Sequence, residues 1–327
     1  MASRFRLPRY LRPDFLLTGI ILALILGLLL PVSAGANDVL SEIGDIAVGM
    51  VFLVYGMRLP TSEVIAGLRN ITLQAAVLVA TYLVFPLVGF ALYGLTHSLI
   101  GTAFATGLLY LSLLPSTVQS SVTFVSIARG NVASAVCSAT ISNILGMFLT
   151  PALVLLFMHL DNASTGGIES VLIKLLLPFI VGQCLQPFAG TWMRAHRAVT
   201  RITDNSTIIL VVFSAVVKAT NDGAWTSVTP GGFVLLLIVL AIQLAIMLAS
   251  TWYAGRLIGL SRAEKIVLLM CGSKKSLASG LPMAKALFDP ALVGAIAVPV
   301  IIFHQVQLIT CAIIARRLGR DAEPIAQ

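Results

Sequence analysis

Apolar runs of about 20 residues, separated by short polar or basic loops, recur from one end of the chain to the other. The pattern predicts ten membrane-crossing helices, over residues 15–33, 39–57, 72–95, 101–127, 132–158, 168–188, 206–221, 232–254, 264–288 and 291–315. Within each run the apolar positions are continuous and do not alternate, which excludes the strands of an outer-membrane barrel. The expected fold class is an all-α polytopic membrane protein.

The fourth and ninth segments are interrupted, near Pro115 and Lys274. When the chain is cut into two groups of five, these breaks fall at corresponding positions. Five is odd, so the two groups enter the membrane from opposite sides, which is the inverted-repeat plan of many secondary transporters. The breaks read LLPSTVQSSVTF, Leu113–Phe124, and CGSKKSLASGLP, Cys271–Pro282. Pro115 and Pro282 each remove a backbone donor, and the hydroxyl side chains can satisfy carbonyls freed where a helix unwinds. Ordinary proline kinks with packed hydroxyls are the other reading of each segment.

Composition agrees, with 58% hydrophobic and 10% charged residues, a balance that no soluble core requires. The net charge of +8 would suit nucleic acid, but its distribution points elsewhere. With the N-terminus in the cytoplasm, Arg4, Arg6, Arg9, Arg12, Arg58, Arg69, Arg129, Arg194, Arg197, Arg201, Arg256, Arg262, Lys265, Arg316, Arg317 and Arg320 all fall inside. Lys218 and Lys285 fall outside, and Lys174 lies near an outer boundary. This is the positive-inside bias, so both termini are expected in the cytoplasm and no nucleic-acid partner is expected.

RFRLPRYLRP followed by an apolar run and PVSAGA has the look of a signal peptide, but an uncleaved first helix keeps the count even. Cys137, Cys184, Cys271 and Cys311 lie within spans, where disulfides are not expected. Asn162-Ala163-Ser164 matches a glycosylation acceptor and reads as an ordinary outer loop.

Candidate chemistry is sparse. HExxH, GxSxG and phosphate-binding GxxxxGK(S/T) motifs are absent, so common hydrolase and ATPase signatures are missing, and neither a catalytic residue nor a transition-metal site is assigned. His304, in HQVQ, suits a proton relay or a hydrogen-bonded structural role. In the ARGN turn, Ala128–Asn131, Gly130 is expected in the left-handed conformation and Asn131 as a cap. Gln119 and Asn143 suit substrate or ion contact, or hydrogen bonding between helices.

Lys274 and Lys275 lie mid-membrane, where a charge costs about 2.5 to 3.5 kcal/mol on insertion scales. The thirteen acidic residues sit in loops or near span ends, Asp45 and Glu264 being the deepest. No interior carboxylate is therefore expected to balance a bound cation. Three readings of the lysines remain open. One or both stand where a cation would and attract an anionic substrate; a buried lysine carries a proton; or a lysine caps unwound carbonyls. Adjacent residues face about 100° apart on a helix, so the two need not act alike.

TFVSIARGNVASAV, Thr123–Val136, with FLTP, Phe148–Pro151, and SKKSLASGLPMA resembles the bile acid:sodium symporter family, specifically its divergent bacterial branch. The resemblance covers essentially the whole chain. It implies ten helices, with core helices 3–5 in residues 71–159 and 8–10 in 226–327. Panel helices 1–2 fall in 1–70 and 6–7 in 160–225, and the broken helices 4 and 9 cross. It also implies a bacterial inner-membrane, non-enzymatic secondary transporter of a small organic anion, with sodium symport as the family expectation and Na+ the one cofactor candidate.

Carried over by position, Ser120 and Ser121 match the family's Ser-Asn pair, Ser134 and Ser138 lie one residue from its Ser and Thr ligands, and Thr81 matches a glutamine. The family's glutamate falls near Met270 and its Gln-Asn pair on Lys274 and Lys275, a departure that places positive charge where sodium would bind. Ser116, Thr117, Gln119, Asn143, Lys274, Lys275 and Ser276 complete the candidates for substrate or counter-charge. Proton-coupled or uncoupled anion transport, and a membrane sensor without net transport, are the alternatives. Neither the substrate nor the oligomeric state is legible.

Overall fold

The structure is a computed structural model that describes residues 15–30, 32–58, 70–158, 172–223 and 229–321. Arg4, Arg6, Arg9, Arg12, Arg69, the Asn162-Ala163-Ser164 site and both chain ends lie outside the described residues. Among those described, every regular element is helical. The order is α1 (Phe15–Leu29), α2 (Ala34–Arg58), α3 (Ile71–Ile100), α4 (Thr102–Leu113), α5 (Gln119–Ile127) and α6 (Val132–Phe157). A π-helical turn, Leu172–Leu176, leads into α7 (Leu177–Ala195), followed by α8 (Arg197–Asn221), α9 (Pro230–Leu257), α10 (Arg262–Gly272), α11 (Leu277–Leu287) and α12 (Pro290–Arg320).

Among the described residues, seven stretches are long and apolar enough to cross a bilayer singly: Gly35–Arg58, Ile71–Ile100, Val132–Phe157, Ile173–Ala195, Ala198–Asn221, Pro230–Leu257 and Leu292–Arg320. α1 and α4 are shorter apolar helices. The chain is a multi-pass membrane protein. Several helices outrun their apolar segments, because hydropathy registers only the part suited to hydrocarbon. α8, expected from residue 206, begins at Arg197 with two polar turns.

Local sequence sets the helix starts. Asn70 Oδ1 accepts from the Leu73 N–H at 3.1 Å, and Asn131 Oδ1 from the Ser134 N–H at 3.0 Å. Ser261 and Glu264 form a reciprocal capping box at the start of α10. The ARGN turn differs from expectation in one respect: Arg129, with φ 56°, holds the left-handed position, and Gly130 does not. Gly130 is needed for space, since a Cβ there would lie 2.7 Å from Ile266 Cγ2 on α10.

Large apolar side chains such as Leu29, Ile71, Leu95 and Phe188 face outward, as lipid-facing surfaces require. Inside, small residues admit close helix packing: a Cβ on Gly56 or Gly182 would collide with backbone of the facing helix, so α2 and α7 meet directly. α1 and α2 also pack on α8, α3 packs on α4, and α9 on α10.

Candidate functional site at the broken helices

α4 stops where Leu114 turns extended and Pro115 offers no N–H to continue the helix. The carbonyls from Ser112 to Ser116 then need new partners, and every one has found one. Ser112 and Leu114 accept from the Lys275 ammonium at 2.8 and 2.6 Å. Leu113 accepts from Thr150 Oγ1 at 2.8 Å, Pro115 from the Ser276 N–H at 2.9 Å, and Ser116 from Asn143 Nδ2. The Ser116 N–H donates to Ser142 Oγ at 3.1 Å. Irregular backbone at membrane depth persists only under such complete satisfaction.

The second break, Ser273 to Ser276, is secured from α12. Gln307 clasps the Lys275 backbone, its Oε1 accepting from the N–H and its Nε2 donating to the carbonyl, both at 2.9 Å. The same Nε2 lies 3.0 Å from His304 Nδ1. An amide nitrogen only donates, so Nδ1 is the acceptor and the ring proton belongs on Nε2. Ser276 Oγ caps α11 by accepting from the Ser279 N–H at 3.2 Å. Across the crossing, the Ser116 and Ser121 hydroxyls donate to the carbonyls of Cys271 and Met270 in the last turn of α10.

Lys275 is 1% exposed, and its third acceptor is the Thr81 carbonyl at 2.8 Å. That carbonyl is free for a local reason. α3 contains a π-helical turn, Ala80–Val84, in which the Phe85 N–H reaches back to Ala80, and the next residue, Pro86, has no N–H to give. A neutral amine carries only two hydrogens, so donation to all three carbonyls at once takes the ammonium form of Lys275. The Phe85 ring, 4.2 Å away, adds a cation–π contact, and the negative C-terminal end of α4 supplies two of the acceptors.

Lys274 points elsewhere and is poorly satisfied. It is 0% exposed, rests 4.4 Å over the Phe124 ring and makes one long hydrogen bond, to Ser120 Oγ at 3.4 Å. Ser120 in turn donates to Thr117 Oγ1 at 3.2 Å. Among the described residues the ion pairs are Lys174–Asp45, Lys285–Asp45 and Lys218–Asp222, so neither central lysine has a carboxylate partner. Cys271, Cys311 and His304 lie within electrostatic range of Lys274. The N-terminal, positive end of α5 adjoins it at Ser120.

Of the residues singled out in the sequence, Ser116, Thr117, Ser120, Ser121, Asn143, Lys274, Lys275 and Ser276 come together here. Thr81 contributes its carbonyl, while its hydroxyl donates to Val77 at 2.8 Å. Gln119 is exposed at the start of α5. Ser138 is buried and its Oγ has no hydrogen-bond partner. Ser134 stays half-buried in the first turn of α6, outside this network. Pro282 lies inside α11, past the break.

Sequence reasoning missed Ser112, Ser142, Thr150 and Gln307, which complete the backbone accounting. Their signal is a polar residue on an otherwise apolar helix. Asp204 was missed as an enclosed acid: it lies on α8 against Tyr55 and Arg58, in the polar turns that hydropathy placed outside the span.

The SBF-like CPA transporter family matches residues 14–320. The "Uncharacterized protein PA2026" of Pseudomonas aeruginosa is 37% identical over 322 residues, covering 98% of this chain and 96% of that protein. The "Putative symporter YfeH" of Escherichia coli K12 is 38% identical over 282 residues, 85% of each chain. Sodium/bile acid cotransporter 7 of Xenopus tropicalis is 25% identical over 307 residues, 91% of this chain and 90% of that one.

Proposed function

The chain belongs to the SBF-like CPA transporter family, and on that premise we propose that it is a sodium-independent secondary transporter of a small organic anion. The Lys275 ammonium fills the central cation position, and Lys274 faces the substrate. The carrying observation is the donation of Lys275 Nζ to the Thr81, Ser112 and Leu114 carbonyls. A cluster of backbone carbonyls is the environment a hard cation takes, and here a side chain supplies the charge. Sodium at the hydroxyl cluster would share the Ser120 oxygen with Lys274. Two unit charges about 4 Å apart repel by about 4 kcal/mol at an effective dielectric of 20.

In this reading α4 with α5, and α10 with α11, are each one interrupted crossing, which restores ten spans in two inverted five-helix repeats. α1, α2, α7 and α8 form the panel; α3–α6 and α9–α12 form the core. Both termini are cytoplasmic, in a bacterial inner membrane. The packing of α11 on α2 and α8 supports closure of the outer side, so substrate reaches Lys274, Thr117 and Ser120 from the cytoplasmic half. Core moving against panel then provides alternating access.

The test is uptake of labelled small carboxylates and sulfonates by proteoliposomes. The expected result is saturable uptake of an anion that is unchanged when choline replaces sodium at constant pH. An absolute sodium requirement would overturn the sodium-independent reading, and anion binding without flux would favour a sensor.

A further inference from the structure

The hydrogen bonds described so far join helices within the core, and Gln183 to Gly56 and Thr207 to Ala47 join helices within the panel. Lys285 crosses between them. Near the end of α11, its stem passes over Gly44 of α2, where an added Cβ would meet Lys285 Cε at 2.9 Å and Nζ at 3.0 Å. The ammonium contacts Asp45 Oδ1 at 2.8 Å, Ser41 O at 2.6 Å and Ser41 Oγ at 3.1 Å. Asp45 Oδ2 holds Lys174 Nζ at 2.7 Å, in the turn that leads into α7. One carboxylate thus binds the outer half of a broken core helix to two panel helices.

We propose that the Lys285–Asp45–Lys174 bridge is the outer latch of the transport cycle, an inference that rests on the transporter reading above. The Lys285 side chain is 8% exposed and that of Asp45 33%, so parting them admits water to both charges. Hydration replaces the pair when the latch opens, and the pair replaces hydration when it closes. That exchange makes two discrete states out of one contact. α11 carries the motion to the crossing, because Lys275 and Ser276 immediately precede it.

Hydrogen exchange of the full chain in lipid nanodiscs tests this without any solute. In Asp45→Asn and in Lys285→Met, the amides of α11 should exchange about tenfold faster or more, while those of α6 and α9 stay as in the parent. The double variant should fall well short of the combined effects of the singles, since both cut the Lys285–Asp45 pair, while each also removes a contact of its own, Asp45 with Lys174 or Lys285 with Ser41. Lys174→Met should have a smaller effect, because Lys285 keeps its partner.

Gly44→Ala, which keeps every charge but displaces the flexible end of Lys285, should shift α11 exchange in the same direction by a smaller factor and serves where a charge variant fails to fold. Parent-like exchange of α11 in Asp45→Asn, Lys285→Met and Gly44→Ala would overturn the latch, as would summed effects in the double variant. Since exchange needs no flux, a failed transport assay and a failed latch are separate results.

Discussion

Lys275→Ala is expected to destabilise the folded protein by roughly 3 to 5 kcal/mol, because buried polar groups left without partners cost about 1 to 3 kcal/mol each and partial relaxation recovers some of it. The substitution orphans the carbonyls of Thr81, Ser112 and Leu114 together. None has a spare helical donor: Pro86 cannot serve Thr81, and the break after Leu113 removes the others from their helix. Lys275→Arg should rescue little, since a planar guanidinium directs its hydrogens in a fork and cannot converge on acceptors surrounding one point. Unfolding in sodium-free buffer, followed by denaturation of the purified protein, measures the effect. A Lys275→Ala variant as stable as the parent would mean that the carbonyls are satisfied by other donors.

The opposite division of labour is expected at Lys274. Its one hydrogen bond is long and it has no carboxylate partner among the described residues, so Lys274→Gln should change stability by no more than about 1 kcal/mol. Anion binding should suffer far more. Removing one member of a buried charge pair costs about 2 to 5 kcal/mol, a weakening of about thirtyfold or more. Lys274→Arg should retain part of the affinity, because the charge persists while the larger planar group meets Phe124 and Ser120 differently. Calorimetric titration with the anion identified by uptake gives both numbers. Parent-like binding by a folded Lys274→Gln protein would remove Lys274 from the substrate site.

The helical, multi-pass character of the chain and its two interruptions were legible from apolar runs, Pro115 and the Ser-rich segments, because bilayer thickness and a missing backbone donor act locally. The division between the two lysines was not. Their adjacency suggests one role, but the unwound Ser273–Ser276 segment sends one side chain to the end of α4 and the other to the start of α5, a tertiary outcome.

The Thr81 carbonyl is free because a π-helical turn precedes Pro86, and a proline near a helix segment does not announce where the turn will fall. Gln307 lies more than thirty positions from the backbone it clasps, as its contact separation of 32 shows. At the ARGN turn a glycine suggested positive φ, whereas crowding by Ile266 assigns it a space-filling constraint and leaves the left-handed residue to Arg129. Hydropathy also misplaced the start of α8, and with it Asp204, because charged turns continue a helix beyond the hydrocarbon.

Whether Lys275 stands in for sodium is addressed most directly by titrating Na+ against choline at constant ionic strength and following unfolding of the parent and of Lys275→Ala. The account predicts no saturable stabilisation of the parent. It predicts stabilisation of Lys275→Ala as sodium enters the vacated carbonyl cluster, reaching about 2.7 kcal/mol at a hundredfold excess over its dissociation constant. Saturable sodium stabilisation of the parent, lost or unchanged in Lys275→Ala, would contradict it.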